Sequence, residues 1–245
     1  GGSLTIALCY EGIEGKQVVI SGGNITLYAT DDGLNAAGGE SAAGFGSTGS
    51  SDSSIVISGG VVNVVADGDG IDSNGDFTMT GGEVYVSGPS NNANGALDYD
   101  GTGCITGGKL VAVGASGMAM NFGDTSTQGA ILLTTASCQA GAQIVLKAAD
   151  GTTLLSYTAQ KAFDSVVLSC PELTLGETYV VCVDGEETEV TLDSLIYGNG
   201  FGGMGAPGGF DGMGMPGDFD GTDAPERPDG KGASEDFDGT DAPER

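Results

Sequence analysis

The sequence has no histidine, no tryptophan and few basic residues: its 245 residues include 7 Lys and Arg against 34 Asp and Glu. Binding to a nucleic acid or an anionic membrane needs clustered Lys and Arg to displace counterions, so both are poor partners for this chain. No apolar run approaches the roughly 20 residues that a membrane-spanning helix requires. The formal net charge of −27 instead favours a cation, or a neutral or cation-bridged ligand.

Cysteine is also scarce, and its spacing argues against a thiolate metal site. The five cysteines are Cys9, Cys104, Cys138, Cys170 and Cys182, and none of them forms a C-x-x-C pair. The odd count leaves at least one thiol free or paired between chains. We expect Cys9 and Cys104 to be buried thiols. A Cys170–Cys182 disulfide and a Cys138–Cys170 disulfide both stay open.

Glycine is abundant, with 47 residues, and part of it follows a repeated pattern. A Gly-Gly-x-apolar-x-apolar segment begins at Gly1, Gly22, Gly59, Gly81 and Gly107. Each copy alternates apolar and polar residues, which is typical of a strand with one buried face. Recurrence in one orientation favours parallel coils stacked about 4.8 Å apart over sequential hairpins. The sequence therefore predicts an all-β parallel solenoid over residues 1–121, with a loop inserted at Ala37–Ser54.

The repeated segments predict three columns of apolar residues that point into the solenoid. The first column is Leu4, Ile25, Val62, Val84 and Leu110, the second is Ile6, Leu27, Val64, Val86 and Ala112, and the third is Ile13, Leu34, Ile71, Leu97 and Met118. Because the chain begins within such a unit and no signal peptide is visible, we expect it to be truncated or processed.

Acidic residues recur in the same register, most densely in Asp67-Gly-Asp-Gly-Ile-Asp-Ser-Asn-Gly75. The predicted outward column is Glu14, Asn35, Asp72 and Asp98, the corner column is Glu11, Asp32 and Asp69, and Asp31, Asp67 and Asp100 lie at the flanks. Carboxylates one coil apart lie within about 5 Å, where one must be protonated or share a cation. Since hard oxygen ligands suit Ca²⁺, the sequence favours calcium bound between coils over a solvated acidic wall.

Five motifs in order also connect the chain with a known family. They are Tyr10-Glu-Gly-Ile-Glu-Gly15, Ile20-Ser-Gly-Gly23, Asp31-Asp-Gly-Leu-Asn-Ala36, Gly68-Asp-Gly-Ile-Asp-Ser-Asn-Gly75 and Gly95-Ala-Leu-Asp-Tyr-Asp100. Over about residues 1–198 the chain resembles the bacterial polysaccharide-lyase-like carbohydrate-binding domain family, whose founding member comes from cellulose-degrading clostridia.

The resemblance implies a right-handed parallel β-helix that binds Ca²⁺ and plant cell-wall polysaccharide, both cellulose and acidic pectic chains. It implies a secreted or surface-attached protein without established catalysis. Carried over residue by residue, the calcium role falls on Asp31, Asp32, Asn35, Asp67, Asp69, Asp72, Asp98 and Asp100.

The pattern changes beyond Phe122. Alternating segments with turn signals at Asp150-Gly151 and Asp184-Gly185 predict antiparallel strands over residues 122–198. Such a cap would cover the unpaired strand edge of the last coil. Residues 199–245 are rich in Gly, Pro and Asp and carry one nonapeptide twice, at 219–227 and 237–245. We expect a disordered acidic tail there, with a short docking motif as the alternative.

The resemblance favours a non-catalytic carbohydrate-binding module. Sugar rings stack on aromatic side chains, and Tyr28, Tyr85 and Tyr99 are the candidates for this role. A spacer or assembly protein, stiffened by calcium and self-associating through the coil ends or the tail, stays open as well.

Two enzymatic alternatives also stay open. A calcium-dependent polysaccharide lyase would need a base, for which Lys109 is the candidate. A glycosidase would need paired carboxylates, for which Asp72 and Asp98 are the candidates. Because a lone Lys is usually a solvated surface charge, and because no sequence feature identifies an acid partner for a glycosidase, no catalytic residue is assigned.

Overall fold

The computed structural model of the chain describes residues 1–37 and 52–198. Residues 38–51 of the predicted inserted loop, and the whole predicted tail, lie outside the described residues. The described residues all fall in the first of two units of the chain, Gly1–Ala206. The second unit, Pro207–Arg245, lies outside them.

The described residues form sixteen strands and one short 3-10 helix, Ser116–Met118, which confirms the all-β prediction. The strands are β1 Ser3–Cys9, β2 Ile13–Glu14, β3 Gln17–Ala29, β4 Leu34–Ala36, β5 Ser54–Ala66, β6 Ile71–Ser73, β7 Asp76–Ser87, β8 Leu97–Tyr99, β9 Gly103–Gly114, β10 Ala130–Cys138, β11 Gln143–Ala148, β12 Thr153–Thr158, β13 Phe163–Ser169, β14 Thr178–Val183, β15 Glu186–Thr191 and β16 Ile196–Tyr197. Within this part of the chain, no helix is long and apolar enough to cross a membrane.

The long strands β1, β3, β5, β7 and β9 pair in parallel, in that order. Their register aligns the first two predicted inward columns residue for residue, from Leu4 to Leu110 and from Ile6 to Ala112. The middle of each column is fully buried, as at Val62 and Val84. Leu4 is 46% exposed because β1 is the edge strand of the sheet.

The repeated Gly-Gly pairs stack on one another within these long strands. The second glycine of each pair has positive φ, for example +100° at Gly23, +93° at Gly60 and +88° at Gly82, a conformation that residues with a Cβ rarely adopt. A Cβ atom at Gly60 would also lie 2.7 Å from the carbonyl oxygen of Gly23. The pattern therefore has two physical causes, an unusual φ and close backbone stacking.

The short strands β2, β4, β6 and β8 form a second parallel sheet. Ile13, Leu34, Ile71 and Leu97 pair in register, as predicted for the third inward column. Met118 does not extend this column, so that part of the prediction is wrong. Met118 is half-buried and belongs to the 3-10 helix, so this segment does not form a strand beside β8.

The predicted antiparallel strands of the C-terminal part are present. Strand β13 pairs antiparallel with β9 and with β10, so it covers the free edge of β9. Strands β12, β11, β14 and β15 form a separate four-stranded antiparallel sheet. Both predicted hairpin turns have positive φ, with Gly151 at +86° and Asp184 at +48°. The eight-stranded sheet that runs from β1 to β16 is therefore mixed, and its two ends do not pair with each other.

Two apolar clusters form the core. The first lies inside the parallel strands and contains Phe77, whose ring centroid is 5.6 Å from that of Phe122. The second lies between the C-terminal strands and the outer face of β9, where Val111 and Val113 are fully buried. The C-terminal part therefore packs on a face of the parallel sheet as well as on its edge.

All five cysteines are free, so neither of the two candidate disulfides forms. Cys138 and Cys170 are buried, but Cys9 and Cys104 are only half-buried, which corrects the expectation for that pair. Cys9 is the last residue of the edge strand β1. Cys104 of β9 pairs with Thr78 of β7, and both alternate with the buried positions of their strands, so the side chain of Cys104 faces outward.

Candidate functional site

The four short strands place the predicted outward column in one line. Glu14 pairs with Asn35, Asn35 with Asp72, and Asp72 with Asp98. Neighbouring strands of a sheet lie about 4.8 Å apart. The side chains of Asn35, Asp72 and Asp98 therefore succeed one another at one strand spacing, as the sequence predicts.

The corner column is tied together by hydrogen bonds between successive turns of the chain. Asp32 Oδ1 accepts a hydrogen bond of 2.7 Å from the backbone N–H of Asp69, and Asp69 Oδ1 accepts one of 2.5 Å from that of Gly95. Gly68 leaves room for this approach, since a Cβ atom there would lie 2.4 Å from Asp32 Oδ1 and 2.7 Å from Asp31 Oδ1. Two carboxylates thus lie close to the backbone of the following turn.

Asn35 connects the two columns. Its Nδ2 donates a hydrogen bond of 3.2 Å to Glu11 Oε2. The residue is 7% exposed, and in the described part of the chain its Oδ1 is the buried side-chain polar atom that has no hydrogen-bond partner. A buried acceptor without a donor costs about 1–3 kcal/mol. A cation ligated by this oxygen would remove that cost.

The carboxylates of the two columns are held in a setting that disfavours their ionised form. Burial raises the pKa of Asp69 to about 7, although the Gly95 N–H lowers it, and the charges of Asp98 and Asp32 add to the increase. Burial also raises the pKa of Asp72 to about 8, with further increases from neighbouring carboxylates. Burial is likewise the largest cause of the raised pKa values of Glu11, Asp32 and Asp98. Burial and mutual repulsion therefore favour the protonated form of these carboxylates, whereas a bound cation would favour their ionised form.

The fit of a cation to this region can be judged from its donor atoms. Across residues 1–37 and 52–198, no group of three or more Asp, Glu, Cys or His side chains is arranged to hold a metal ion. The donors are spread along the columns instead, and one of them is the amide oxygen of Asn35. Carboxylate, amide and backbone oxygens are the ligands that Ca²⁺ takes, so the donors fit Ca²⁺ in kind.

The flanking acids have different surroundings from one another. The carboxylate of Asp67 forms an ion pair with Lys161, whose Nζ also donates a hydrogen bond of 2.5 Å to the carbonyl oxygen of Ala66. Asp100 is exposed, and its charge raises the pKa of Asp98. Lys161 lies 94 residues from Asp67 along the chain, and no local sequence pattern indicates their contact.

The three predicted sugar-binding tyrosines differ in exposure. Tyr28 is 38% exposed, with its hydroxyl 3.5 Å from Gln160 Oε1. Tyr85 stacks on Tyr157 of the C-terminal part at a ring-centroid distance of 5.5 Å. Tyr28 therefore has more ring surface open to a ligand than Tyr85 has.

Tyr99 is packed against the first apolar cluster, and its hydroxyl donates a hydrogen bond to the carbonyl oxygen of Asn121. Burial, followed by the charge of Asp98, raises the pKa of Tyr99 to about 12. This tyrosine therefore acts as part of the core beside the outward column.

Tyr10 is an exposed aromatic residue that the sequence reasoning passed over. It is 69% exposed and lies between β1 and β2, directly before the corner residue Glu11. Its position next to the Glu11-Gly12 corner is a signal that could have identified it, because that corner aligns with Asp32-Gly33 and Asp69-Gly70.

The candidate lyase base and the candidate glycosidase carboxylates lie on different sheets. Lys109 lies on β9 of the large sheet, opposite Glu83 of β7, whereas the outward acidic column lies on the sheet of short strands. The described residues therefore do not bring Lys109 into the acidic columns. Asp72 and Asp98 are direct register partners on β6 and β8.

One comparison with known proteins gives a match. The family model described as carbohydrate-binding domain-containing protein matches residues 1–178. This range contains both acidic columns and strands β1 to β13. No curated protein and no solved structure matches the chain.

Proposed function

Because the chain belongs to the family of carbohydrate-binding domain-containing proteins, we propose that it is a calcium-binding, non-catalytic protein that recognises plant cell-wall polysaccharide. Cellulose and acidic pectic chains are the proposed ligands. The observation that carries the calcium part is the buried Asn35 Oδ1, which has no donor and lies next to Asp72 in the outward column.

The proposed ion lies between successive turns of the chain. Asn35 would supply its free amide oxygen, and Asp72 and Asp98 would supply carboxylate oxygens from the next two turns. Asp32 and Asp69 border this group from the corner column. A divalent cation favours the ionised form of each carboxylate, so its binding would offset the raised pKa values of Asp69 and Asp72. The outer candidates of the proposed site are Glu11, Glu14, Asp31, Asp67 and Asp100.

We further propose that residues 1–121 form a right-handed parallel β-helix and that residues 122–198 form its cap. The support is the order of the strands, which alternate along the chain between two parallel sheets from β1 to β9. Over β1 to β9, both sheets keep the same strand order as the chain, as expected of coils that follow one another.

Calcium would also determine which polysaccharides the protein can approach. At a net charge of −27, the protein repels a polyuronate unless a cation bridges the two. A calcium ion with free coordination positions can accept oxygens from a uronate carboxylate or from sugar hydroxyls. Since both polysaccharides and millimolar calcium are found outside cells, we propose a secreted or surface-attached location.

Retention on insoluble polysaccharide tests this function. Wild-type protein should be retained on cellulose or on immobilised polygalacturonate with Ca²⁺, and less with EDTA. Asp72→Asn should lose calcium-dependent retention, whereas Asn63→Ala, a polar residue on the other sheet, should keep it. No retention on either polymer would overturn the carbohydrate part, and retention unaffected by EDTA would overturn the calcium part.

The same samples separate binding from chemistry. Release of 4,5-unsaturated ends from pectate with Ca²⁺, lost in Lys109→Ala, would establish the lyase alternative. Release of reducing ends without unsaturation would instead establish a glycosidase. A binding protein releases neither product.

A further inference from the structure

The connection between β12 and β13, residues 159–162, is fixed on the outer face of the parallel strands. The backbone N–H of Gln160 donates a hydrogen bond of 2.9 Å to Ser87 Oγ of β7. Lys161 Nζ donates one of 2.5 Å to the carbonyl oxygen of Ala66, at the end of β5. The β12–β13 connection therefore forms a fixed edge along the outer face of the large sheet.

The ring of Tyr28 lies beside this edge. Tyr28 of β3 pairs with Val65 of β5, and Val65 pairs with Ser87 of β7. The hydroxyl of Tyr28 is 3.5 Å from Oε1 of Gln160, whose backbone is itself bound to Ser87. To approach Gln160, the ring must extend from β3 across β5 instead of projecting away from the sheet. Tyr28 thus lies along the sheet, and its exposed fraction of 38% leaves ring surface open to a ligand.

A hydrogen-bond donor and an acceptor lie close to the ring. Asp67 is two residues beyond Val65, which is about 7 Å along an extended chain. The carbonyl oxygen of Ala66 and the carboxylate of Asp67 take two of the three N–H groups of the Lys161 ammonium. Since no further acceptor contacts Lys161 Nζ within the described residues, its third N–H is left for a ligand. The carboxylate of Asp67 is exposed and keeps free acceptor positions.

This combination suits a neutral pyranose ring. The C–H groups on one face of the sugar pack on an aromatic ring. A sugar hydroxyl both donates and accepts, so two neighbouring hydroxyls can accept from Lys161 and donate to Asp67. Because these two residues neutralise each other, the pair offers no net positive charge to a uronate carboxylate, and the net charge of −27 repels one.

We propose that Tyr28, Lys161 and Asp67 form a sugar-binding site for one neutral pyranose unit, completed by the β12–β13 connection. The ring of Tyr28 stacks on the unit, and the Lys161–Asp67 pair binds two of its hydroxyls. This inference rests on the proposed function and names cellulose, the neutral one of its two polymers, as the ligand of this site.

Two variants with matched controls test the site in full-length protein. Tyr28→Ala is compared with Val19→Ala, because Val19 lies on the same strand and is 65% exposed. Lys161→Met is compared with Lys147→Met, which removes an ion pair on the separate four-stranded sheet. Dissociation constants for cellulose and for polygalacturonate are measured with Ca²⁺ in depletion assays, below the melting temperature of every variant. Thermal melting with Ca²⁺ and with EDTA is recorded on the same samples.

Tyr28→Ala and Lys161→Met should each weaken binding to cellulose at least about fivefold, as truncation of a binding anchor commonly does. Both should bind polygalacturonate as wild type does, since that polymer does not use the site. Val19→Ala and Lys147→Met should keep wild-type affinity for both polymers. All four variants should keep the melting shift that Ca²⁺ causes.

Wild-type affinity of Tyr28→Ala for cellulose would overturn this inference and leave the proposed function intact. An equal loss in Val19→Ala would overturn it as well, because the effect would then belong to the strand in general. Equal losses on both polymers would overturn the assignment to the neutral one, and wild-type affinity of Lys161→Met for cellulose would overturn the role of the ion pair. A wild-type protein that binds neither polymer would overturn the proposed function, and this inference with it.

Discussion

Asn35 donates a hydrogen bond of 3.2 Å to Glu11 Oε2 while its own Oδ1 stays buried without a donor. We expect Asn35→Ala to reduce the stabilisation that calcium gives. A ligand at 100 times its dissociation constant stabilises the native state by about 2.7 kcal/mol. For a protein of this size that is a rise in melting temperature of roughly 5–10 °C. Melting curves recorded with Ca²⁺ and with EDTA measure the difference.

The same variant should behave differently without calcium. Since Asn35→Ala removes an unsatisfied buried oxygen, part of the lost hydrogen bond to Glu11 is offset, and the melting temperature in EDTA should change little. Asn63→Ala on the large sheet is the matched control and should keep the full calcium shift. A full calcium shift in Asn35→Ala would contradict the role of its oxygen.

The raised pKa values of Asp69 and Asp72 predict how stability depends on pH when calcium is absent. Both groups have an ordinary pKa near 3.8 and folded values of about 7 and about 8. Between these limits the native state binds more protons than the unfolded state, so the free energy of unfolding falls as pH rises. In EDTA the melting temperature should therefore be higher at pH 5 than at pH 8, apart from the general effect of net charge.

Two neutral variants separate the site from that general effect. Asp69→Asn and Asp72→Asn remove a titrating group, so each should flatten the pH dependence in EDTA, whereas Asp193→Asn, far along the chain and exposed, should not. A melting temperature that rises from pH 5 to pH 8 in EDTA would show that these carboxylates are not held in a setting that favours their protonated form.

The sequence could predict the acidic columns because two local rules fix the register. Alternation with a period of two assigns inward and outward positions, and each Gly-Gly pair sets the offset between neighbouring turns. Asp72 and Asp98 could thus be placed side by side although 26 residues separate them. The rule fails at Met118, where the chain forms a 3-10 helix and the pairing of short strands ends.

Contacts between the C-terminal part and the parallel strands could not be predicted in this way. Tyr85 points outward from its sheet, and alternation alone makes it a surface residue. The structure covers it with Tyr157, because the second apolar cluster packs on that outer face. No periodic pattern marks which outward face a separate sheet will cover, since that depends on how two complete surfaces fit together.

The corner glycines should tolerate no side chain. A Cβ atom at Gly70 would lie 2.3 Å from Val86 Cγ1 and 2.4 Å from the carbonyl oxygen of Ala96. We expect Gly70→Ala to lower the free energy of unfolding by about 1–3 kcal/mol through overpacking. Gly22→Ala is the control, because a Cβ atom there meets nothing within 4 Å. Urea unfolding of both variants measures the difference, and equal stability would show that the corner can relax.

Lys161 holds the connection between β12 and β13 against the parallel strands through Asp67 and the carbonyl oxygen of Ala66. Its side chain is 17% exposed, whereas that of Asp67 is 66% exposed. Lys161→Met should therefore lower the free energy of unfolding by about 1–2 kcal/mol, because it removes two hydrogen bonds of a charged donor. Asp67→Asn should cost less, since an exposed ion pair contributes about 0–1 kcal/mol.

Lys147→Met is the control for Lys161→Met, because Lys147 pairs with Glu187 within the separate four-stranded sheet and its side chain is more exposed than that of Lys161. Chemical denaturation of the three variants gives the stability order.

Calcium titrations of Asp67→Asn and Asp72→Asn show how much the flanking residue Asp67 contributes to calcium binding. Because Lys161 already neutralises Asp67, Asp67→Asn should keep most of the calcium shift that Asp72→Asn loses. If both variants lose the calcium shift equally, Asp67 must break its ion pair with Lys161 and ligate the ion.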